Sequence, residues 1–273
     1  MSNEQRAVSF MDKFRVDGNV ALITGGSRGI GRAIALGLAE AGADVILASR
    51  KLPDLEATAQ EISQTGKRVL TVQANVRNLP EIDELVKKSM EEFGTIDILV
   101  NNAGANPVWG SVFDIDERAW DVILGTNLKG HFFLSQAVGE IMRNKGGGAI
   151  INVSSTCAFR PDIGIGVYSV AKAGLSMLTE VLAQEWGQYN IRVNSIGPGL
   201  TKTKFSESRQ GDPIQVKEIL NSTALGRIAE PEEMVNAVIF LASEASSFIT
   251  GQVLLVDGGH FASVQNMMAT IKK

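Results

Sequence analysis

Residues 20–31 restrict what this chain can fold into more tightly than any other stretch. Val20-Ala21-Leu22-Ile23-Thr24 is a nearly unbroken apolar run, the pattern of a strand buried on both faces. It enters Gly25-Gly26-Ser27-Arg28-Gly29-Ile30-Gly31, and Ala33-Ile34-Ala35-Leu36-Gly37-Leu38 then reads as helix. In a strand–loop–helix context such a loop cradles a phosphate. Glycines allow the tight turn and let the backbone approach a pyrophosphate, and Gly31 lets helix pack on strand. The anion sits where the free amides and the dipole of the helix N-terminus favour negative charge.

The pattern then repeats along the chain. Strands are expected at Asp44–Ala48, Arg68–Ala74, Ile96–Val100, Ala149–Val153, Ile191–Ile196 and Gln252–Val256. Helices are expected at Pro53–Thr65, Pro80–Phe93, Glu117–Arg143, around Tyr168 and at Pro231–Ser243. Strands alternating with helices predict an α/β fold: a doubly wound parallel sheet, Rossmann-type, of seven strands with helices on both faces. The 273 residues contain no linker, repeat or low-complexity segment. Residues 17–273 are therefore read as one dinucleotide-binding catalytic domain behind an extension of residues 1–16.

The second strand ends in Ser49-Arg50-Lys51, where a site for an unphosphorylated dinucleotide usually presents an acid to the ribose diol. This stretch offers a hydroxyl, a guanidinium and an ammonium instead, with Arg28 in the glycine loop as a second guanidinium. Those groups suit a 2′-phosphate, which arginine grips with a charge-assisted fork. NADP(H) is the expected cofactor and NAD(H) the alternative.

Tyr168-Ser-Val-Ala-Lys172 places a phenol and an ammonium four residues apart in a helical segment, so both project from one face. The ammonium is expected to pull the phenol's pKa down from about 10. A phenol so tuned is a general acid for a carbonyl or a base for an alcohol. Other unusual residues fall at strand C-termini, where ligands bind in such sheets. Asn101-Asn102-Ala103-Gly104 follows one strand, Ser154-Ser155 a second and Gly197-Pro198-Gly199 a third.

Other classes of function have little support. Net charge is −4 with no basic cluster, so no nucleic-acid footprint is expected. No apolar run nears the roughly 20 residues that span a bilayer. A single cysteine, Cys157, and two histidines, His131 and His260, leave little for a soft-metal site. The lone cysteine suits a reducing compartment, and without a signal peptide a cytoplasmic protein is expected.

Taken together, these residues resemble the short-chain dehydrogenase/reductase family in its single-domain form, over about residues 15 to 260. The glycine loop from Thr24 to Gly31 fits, as do Asn101-Asn102-Ala103-Gly104, Asn127, and Ser155 thirteen residues before Tyr168. Pro198-Gly199 with Thr203 resembles the segment that holds the nicotinamide amide. The resemblance implies that Ser155 binds the substrate oxygen, Tyr168 passes the proton, and Lys172 binds the nicotinamide ribose. Asn127 would hold a water in a proton relay. It implies cofactor contacts from Gly25, Ser27, Arg28, Gly29, Ile30, Gly31, Ser49, Arg50 and Lys51. Further contacts would come from Asn75, Val76, Asn102, Ala103, Gly104, Tyr168, Lys172, Pro198, Gly199, Thr201 and Thr203.

One departure concerns adenine: Asn75-Val76 stands where the family usually has an aspartate after its third strand. Asn75 can still accept through its amide oxygen. The substrate would be a small-molecule carbonyl or secondary alcohol, facing Asn106, Pro107, Trp109, Phe159 and Phe205 under a lid of about residues 204–224. A plain solvated helical hairpin would look the same in sequence. The Ala105-Asn106-Pro107 and Leu200-Thr201-Lys202-Thr203 stretches are similar to those of NADPH-dependent dicarbonyl and ketone reductases. Acyl-carrier-protein-linked 3-oxoacyl reductases and sugar or polyol dehydrogenases are alternatives. The family further implies a homotetramer, or a dimer. A catalytically inactive NADP(H)-binding sensor or scaffold on the same fold is the competing reading, set against a complete Asn-Ser-Tyr-Lys set. An enoyl reductase or dehydratase fits less well, because the serine stands at the spacing for carbonyl work.

Overall fold

A computed structural model describes residues 9–207 and 213–262. Its single sheet has seven parallel strands in the order β3-β2-β1-β4-β5-β6-β7. They are β1 (Val20–Thr24), β2 (Asp44–Ser49), β3 (Val69–Gln73), β4 (Ile98–Asn101), β5 (Gly148–Val153), β6 (Ile191–Pro198) and β7 (Val253–Val256). The helices are α1 (Gly29–Glu40), α2 (Leu52–Ser63), α3 (Leu79–Phe93), α4 (Glu117–Leu124), α5 (Gly130–Lys145), α6 (Gly166–Trp186), α7 (Pro213–Ser222) and α8 (Val235–Ala242). The chain starts at the centre, winds outward through β2 and β3, then crosses back to β4 and continues to β7. Strand order therefore reverses between β1 and β4, and a crevice opens beyond their C-termini.

All five residues of β1 are buried because each face has its own core. Ile23, Leu47 and Val100 join Ile34, Leu38, Leu55 and Val238 on the side of α1, α2 and α8. Leu22, Ile46 and Leu99 join Leu85, Leu134, Val138 and Leu182 on the side of α3, α5 and α6. Alternate residues of one strand serve opposite cores, so the run has no polar phase. Each such aliphatic side chain contributes about 1.5–3 kcal/mol on burial.

Two expected helices differ in detail. The Glu117–Arg143 region is broken by a π-turn at Gly125–Lys129. There Gly130 packs so closely on the Val76 carbonyl that a Cβ would collide with it. The Asn127 amide also donates back to the Ile123 carbonyl at 2.8 Å and across to Ala105 at 2.7 Å. In the last helical region the first turn is a 3₁₀ turn, Pro231–Met234, closed by reciprocal bonds between Glu230 and Glu233. Strand β4 starts two residues later than expected, after Asp97, whose carboxylate accepts from the Val20 amide at 2.7 Å.

Of the N-terminal extension, residues 1–8 lie outside the described residues. Phe10–Phe14 forms a 3₁₀ turn, Phe14 packs on Phe240 with ring centroids 6.1 Å apart, and Val16 is buried in the core. The expected lid comprises a short turn, Lys204–Ser206, and α7. Its residues 208–212, with Arg209, Gly211 and Asp212, lie outside the described residues. Among the described residues no helix is long and apolar enough to cross a membrane.

Candidate active site

The glycine loop is fixed by what it touches. Gly25 and Gly29 have φ of +67° and +54°, in the left-handed region that side chains disfavour. A Cβ on Gly25 would come within 2.8 Å of Asn102 Nδ2, and one on Gly31 would strike both that nitrogen and the Gly25 carbonyl oxygen. Asn102 is held there by donating to the Thr24 carbonyl at 2.8 Å and the Gly25 carbonyl at 3.3 Å. The Thr24 hydroxyl accepts from the Asn102 and Ala103 amides at 3.0 and 3.1 Å. The end of β1 is thus tied to the segment after β4, and the bare backbone between them forms a cradle open to an anion at the start of α1.

From this cradle a cavity of about 330 Å³ runs to Tyr168. Ser27, Arg28, Ile30, Ser49, Arg50, Lys51, Asn75 and Val76 line it at the α1–α2 end. Asn102, Ala103, Gly104, Ser155, Tyr168, Lys172, Pro198, Gly199, Thr201 and Thr203 line the rest. The glycines Gly25, Gly29 and Gly31 complete the wall. The shape and bare-backbone cradle fit a dinucleotide. Among the described residues no cluster of three His, Cys, Asp or Glu side chains could hold a metal.

Asn127 is the expected site residue that the cavity does not reach; it is wholly buried. Both hydrogens of its amide go to the Ala105 and Ile123 carbonyls, and its oxygen accepts from the Ala105 amide at 3.3 Å. Asn75 Oδ1 accepts from the Arg77 amide at 3.2 Å, so the acceptor expected for adenine is engaged in its own loop.

At the reactive end, Ser155 and Tyr168 line the same part of the cavity, and the Ser155 hydroxyl accepts from the Cys157 amide at 3.2 Å. Lys172 is 2 % exposed, donates to the Val153 carbonyl at 2.6 Å, and lies 5.5 Å from the centre of the Tyr168 ring. The expectation that Lys172 lowers the phenol's pKa is corrected. Tyr168 is half-buried and lines the cavity. That burial pushes the phenol above its ordinary value, with only Ser155 opposing it. Burial also pulls Lys172 down to about 7, outweighing the opposing pull of Cys157. Cys157 is buried, with its thiol 3.5 Å from an Asp162 carboxylate oxygen.

On the substrate side, Trp109 and Phe205 line the cavity as expected, and Phe205 packs on Tyr168 at 5.6 Å. Asn106, Pro107 and Phe159 do not line it; Phe159 stacks instead on Phe261 at 5.9 Å. The cavity also has residues the sequence did not single out: Asp162, Ile165, Leu200, Ile219 and His260. Asp162 and Ile165 were findable, lying between Ser155 and Tyr168. His260 follows β7 and reaches the cavity through a 2.9 Å hydrogen bond to Ser222 of α7, a long-range contact with no local signature. Asp54, in the first turn of α2, also lines the cavity, an acid beyond the Ser49-Arg50-Lys51 stretch.

Residues 25–260 match the family model described as enoyl-(acyl carrier protein) reductase. The rabbit (Oryctolagus cuniculus) dehydrogenase/reductase SDR family member 4 is 39 % identical over 240 residues, covering 88 % of this chain and 92 % of that protein. A 2-dehydro-3-deoxy-D-gluconate 5-dehydrogenase of Dickeya dadantii is 36 % identical over 253 residues, covering 92 % of this chain and 99 % of that one. The crystal structure of a Burkholderia cenocepacia gluconate 5-dehydrogenase in complex with NADP and tartrate superposes with a TM-score of 0.90 at 34 % identity, covering 93 % of this chain and 99 % of that chain.

Proposed function

The chain belongs to the short-chain dehydrogenase/reductase family of oxidoreductases, and on that premise we propose that it moves a hydride between NADP(H) and a carbonyl or secondary alcohol. The observation that carries this reading is the meeting of Ser155, Tyr168 and Lys172 at one end of a cavity whose other end is the glycine cradle. When bound, the nicotinamide cofactor supplies the hydride for reduction, or accepts it in the reverse direction.

The remaining chemistry falls to the chain's own groups. Ser155 donates to the substrate oxygen and holds it beside the Tyr168 hydroxyl. Tyr168 gives that oxygen its proton during reduction and takes it back during oxidation. Burial keeps the phenol protonated when it stands alone, which suits a proton donor; positive charge brought close would lower its pKa and ready it as a base. Lys172, held under the site by the Val153 carbonyl, is placed to bind ribose hydroxyls and to supply part of that charge. Trp109 and Phe205 would exclude water from the reacting atoms.

Arg28, Arg50 and Lys51 support NADP(H) over NAD(H), and Asp54 beside them limits the preference rather than reversing it. Related gluconate 5-dehydrogenases were solved with NADP and a related 7α-hydroxysteroid dehydrogenase with NADH, so the preference proposed here rests on those basic groups. We further infer a homotetramer or dimer, because α4–α6 present Trp120, Phe132, Val170 and Met177 to solvent and such an apolar face calls for a cover. A cytoplasmic location is part of the same proposal.

Replacing Tyr168 by Phe tests the mechanism. Cofactor binding, followed by the fluorescence of NADPH, should stay within about threefold, while turnover falls by about 10²–10⁴, the range for a general acid. Equal turnover in variant and wild type would exclude Tyr168 as the proton donor.

A further inference from the structure

We propose that His131 is a positioning residue that sets the cofactor-facing backbone of Asn102–Gly104. It occupies the first turn of α5 and is wholly buried. Its Nε2 lies 2.9 Å from the Ala103 carbonyl oxygen. A carbonyl only accepts, so Nε2 must carry the proton and Nδ1 must be a bare acceptor. That fixes the tautomer. Burial, together with the nearby Lys172 ammonium, holds the imidazole's pKa down at about 3, so it remains a neutral donor across the working pH range.

The surroundings show why the position is constrained. Ser135 lies one turn along the same face of α5 and accepts from Asn101 Nδ2 at 2.8 Å. His131 and Ser135 therefore grip the end of β4 and the loop after it at two points, through Asn101 and through Ala103. From the other side the same loop is held by Thr24, which accepts from the Ala103 amide. The Ala103 peptide is thus pinned at its N–H by β1 and at its C=O by α5. With both ends fixed, this stretch of cavity wall has one position relative to the glycine cradle.

Nδ1 of His131 and Oδ1 of Asn101 are both buried without a partner among the described residues. A side chain kept at 131 only for packing would not bury the bare Nδ1 acceptor at that cost, since an aliphatic group of similar size avoids it. What the imidazole adds is a rigid, neutral N–H of the right reach to the Ala103 carbonyl.

The inference rests on cofactor binding at this cavity, so wild-type NADPH affinity is measured first; failure to bind would refute the proposed function rather than this role. The variants are His131→Gln, His131→Asn and His131→Leu, assayed by NADPH fluorescence titration and by thermal unfolding without cofactor. Gln can place a donor where Nε2 stands, whereas Asn is too short. Losing one hydrogen bond that holds the wall should weaken NADPH binding by about tenfold. The expected order is wild type and Gln within about threefold of each other, with Asn and Leu weaker by about tenfold. If Leu does not fold, the Gln–Asn difference decides the matter. Asn binding as tightly as Gln, or Leu as tightly as wild type, would overturn the proposal.

Discussion

Lys172 gives the sharpest quantitative test of how this site is built. Its ammonium is buried and bonded to one carbonyl, and desolvation outweighs the opposing pull of Cys157, so its pKa falls from 10.5 to about 7. Below about pH 7 the folded and unfolded chains both carry the proton, and the folded state bears the full cost of a buried charge. Between about 7 and 10.5 the unfolded chain keeps the proton and the folded chain has released it. The unfolded state then binds more protons, so stability rises with pH. Between pH 7 and pH 9 this one group should add about 2 kcal/mol, or roughly 5 °C in Tm for a chain of this size. Lys172→Met keeps the stem and removes the titration. Thermal unfolding of cofactor-free wild type and variant at the two pH values gives a difference of differences, in which other titrating groups such as Lys145 cancel. Wild type should gain about 5 °C more than the variant on going to pH 9. Equal changes in both would refute the claim that Lys172 is buried at the expense of its charge.

Other consequences follow for the cofactor half of the site. Arg50→Asp should weaken NADPH by at least about tenfold and NADH by far less, since charge-assisted pairing to a phosphate is lost from one ligand only; parallel losses in the two titrations would remove Arg50 from 2′-phosphate recognition. Gly31→Ala should displace Asn102 and break its bonds to Thr24 and Gly25, lowering stability by about 1–3 kcal/mol together with affinity for both dinucleotides. Unchanged NADPH and NADH binding by a folded Gly31→Ala protein would mean that the cradle is not where the phosphates sit.

Much of this architecture is legible in local sequence because its signals are local. The apolar run 20–24, the glycines after it and the repeat of strand and helix specify the parallel sheet and the reversal between β1 and β4. Once strand C-termini are known to share one edge, residues such as Ser155 and Tyr168 fall on one cavity without any contact having been foreseen. The failures have the opposite origin. The π-turn at Gly125–Lys129 depends on Gly130 meeting the Val76 backbone and on Asn127 reaching Ala105, neither of which leaves a mark in helical periodicity. Asp54 is hidden because the start of α2, not the strand end itself, brings it to the cavity. Phe159 looks like a pocket residue until Phe261, about a hundred positions later, gives its ring another partner. The Tyr168 phenol was read from its charged neighbour alone, whereas desolvation, a property of the folded surroundings, dominates its pKa.

The central claim is reduction of a carbonyl by NADPH, and the most direct measurement is oxidation of NADPH, and separately NADH, by the wild-type protein against a substrate panel. The panel spans diketones, aryl ketones, 3-oxoacyl thioesters and keto sugars, with 2-enoyl thioesters as the competing class. The account predicts turnover of at least one carbonyl class, faster with NADPH than with NADH, and none of the enoyl thioesters. Turnover confined to the enoyl thioesters, or no turnover of any carbonyl by a protein that binds NADPH tightly, would contradict it.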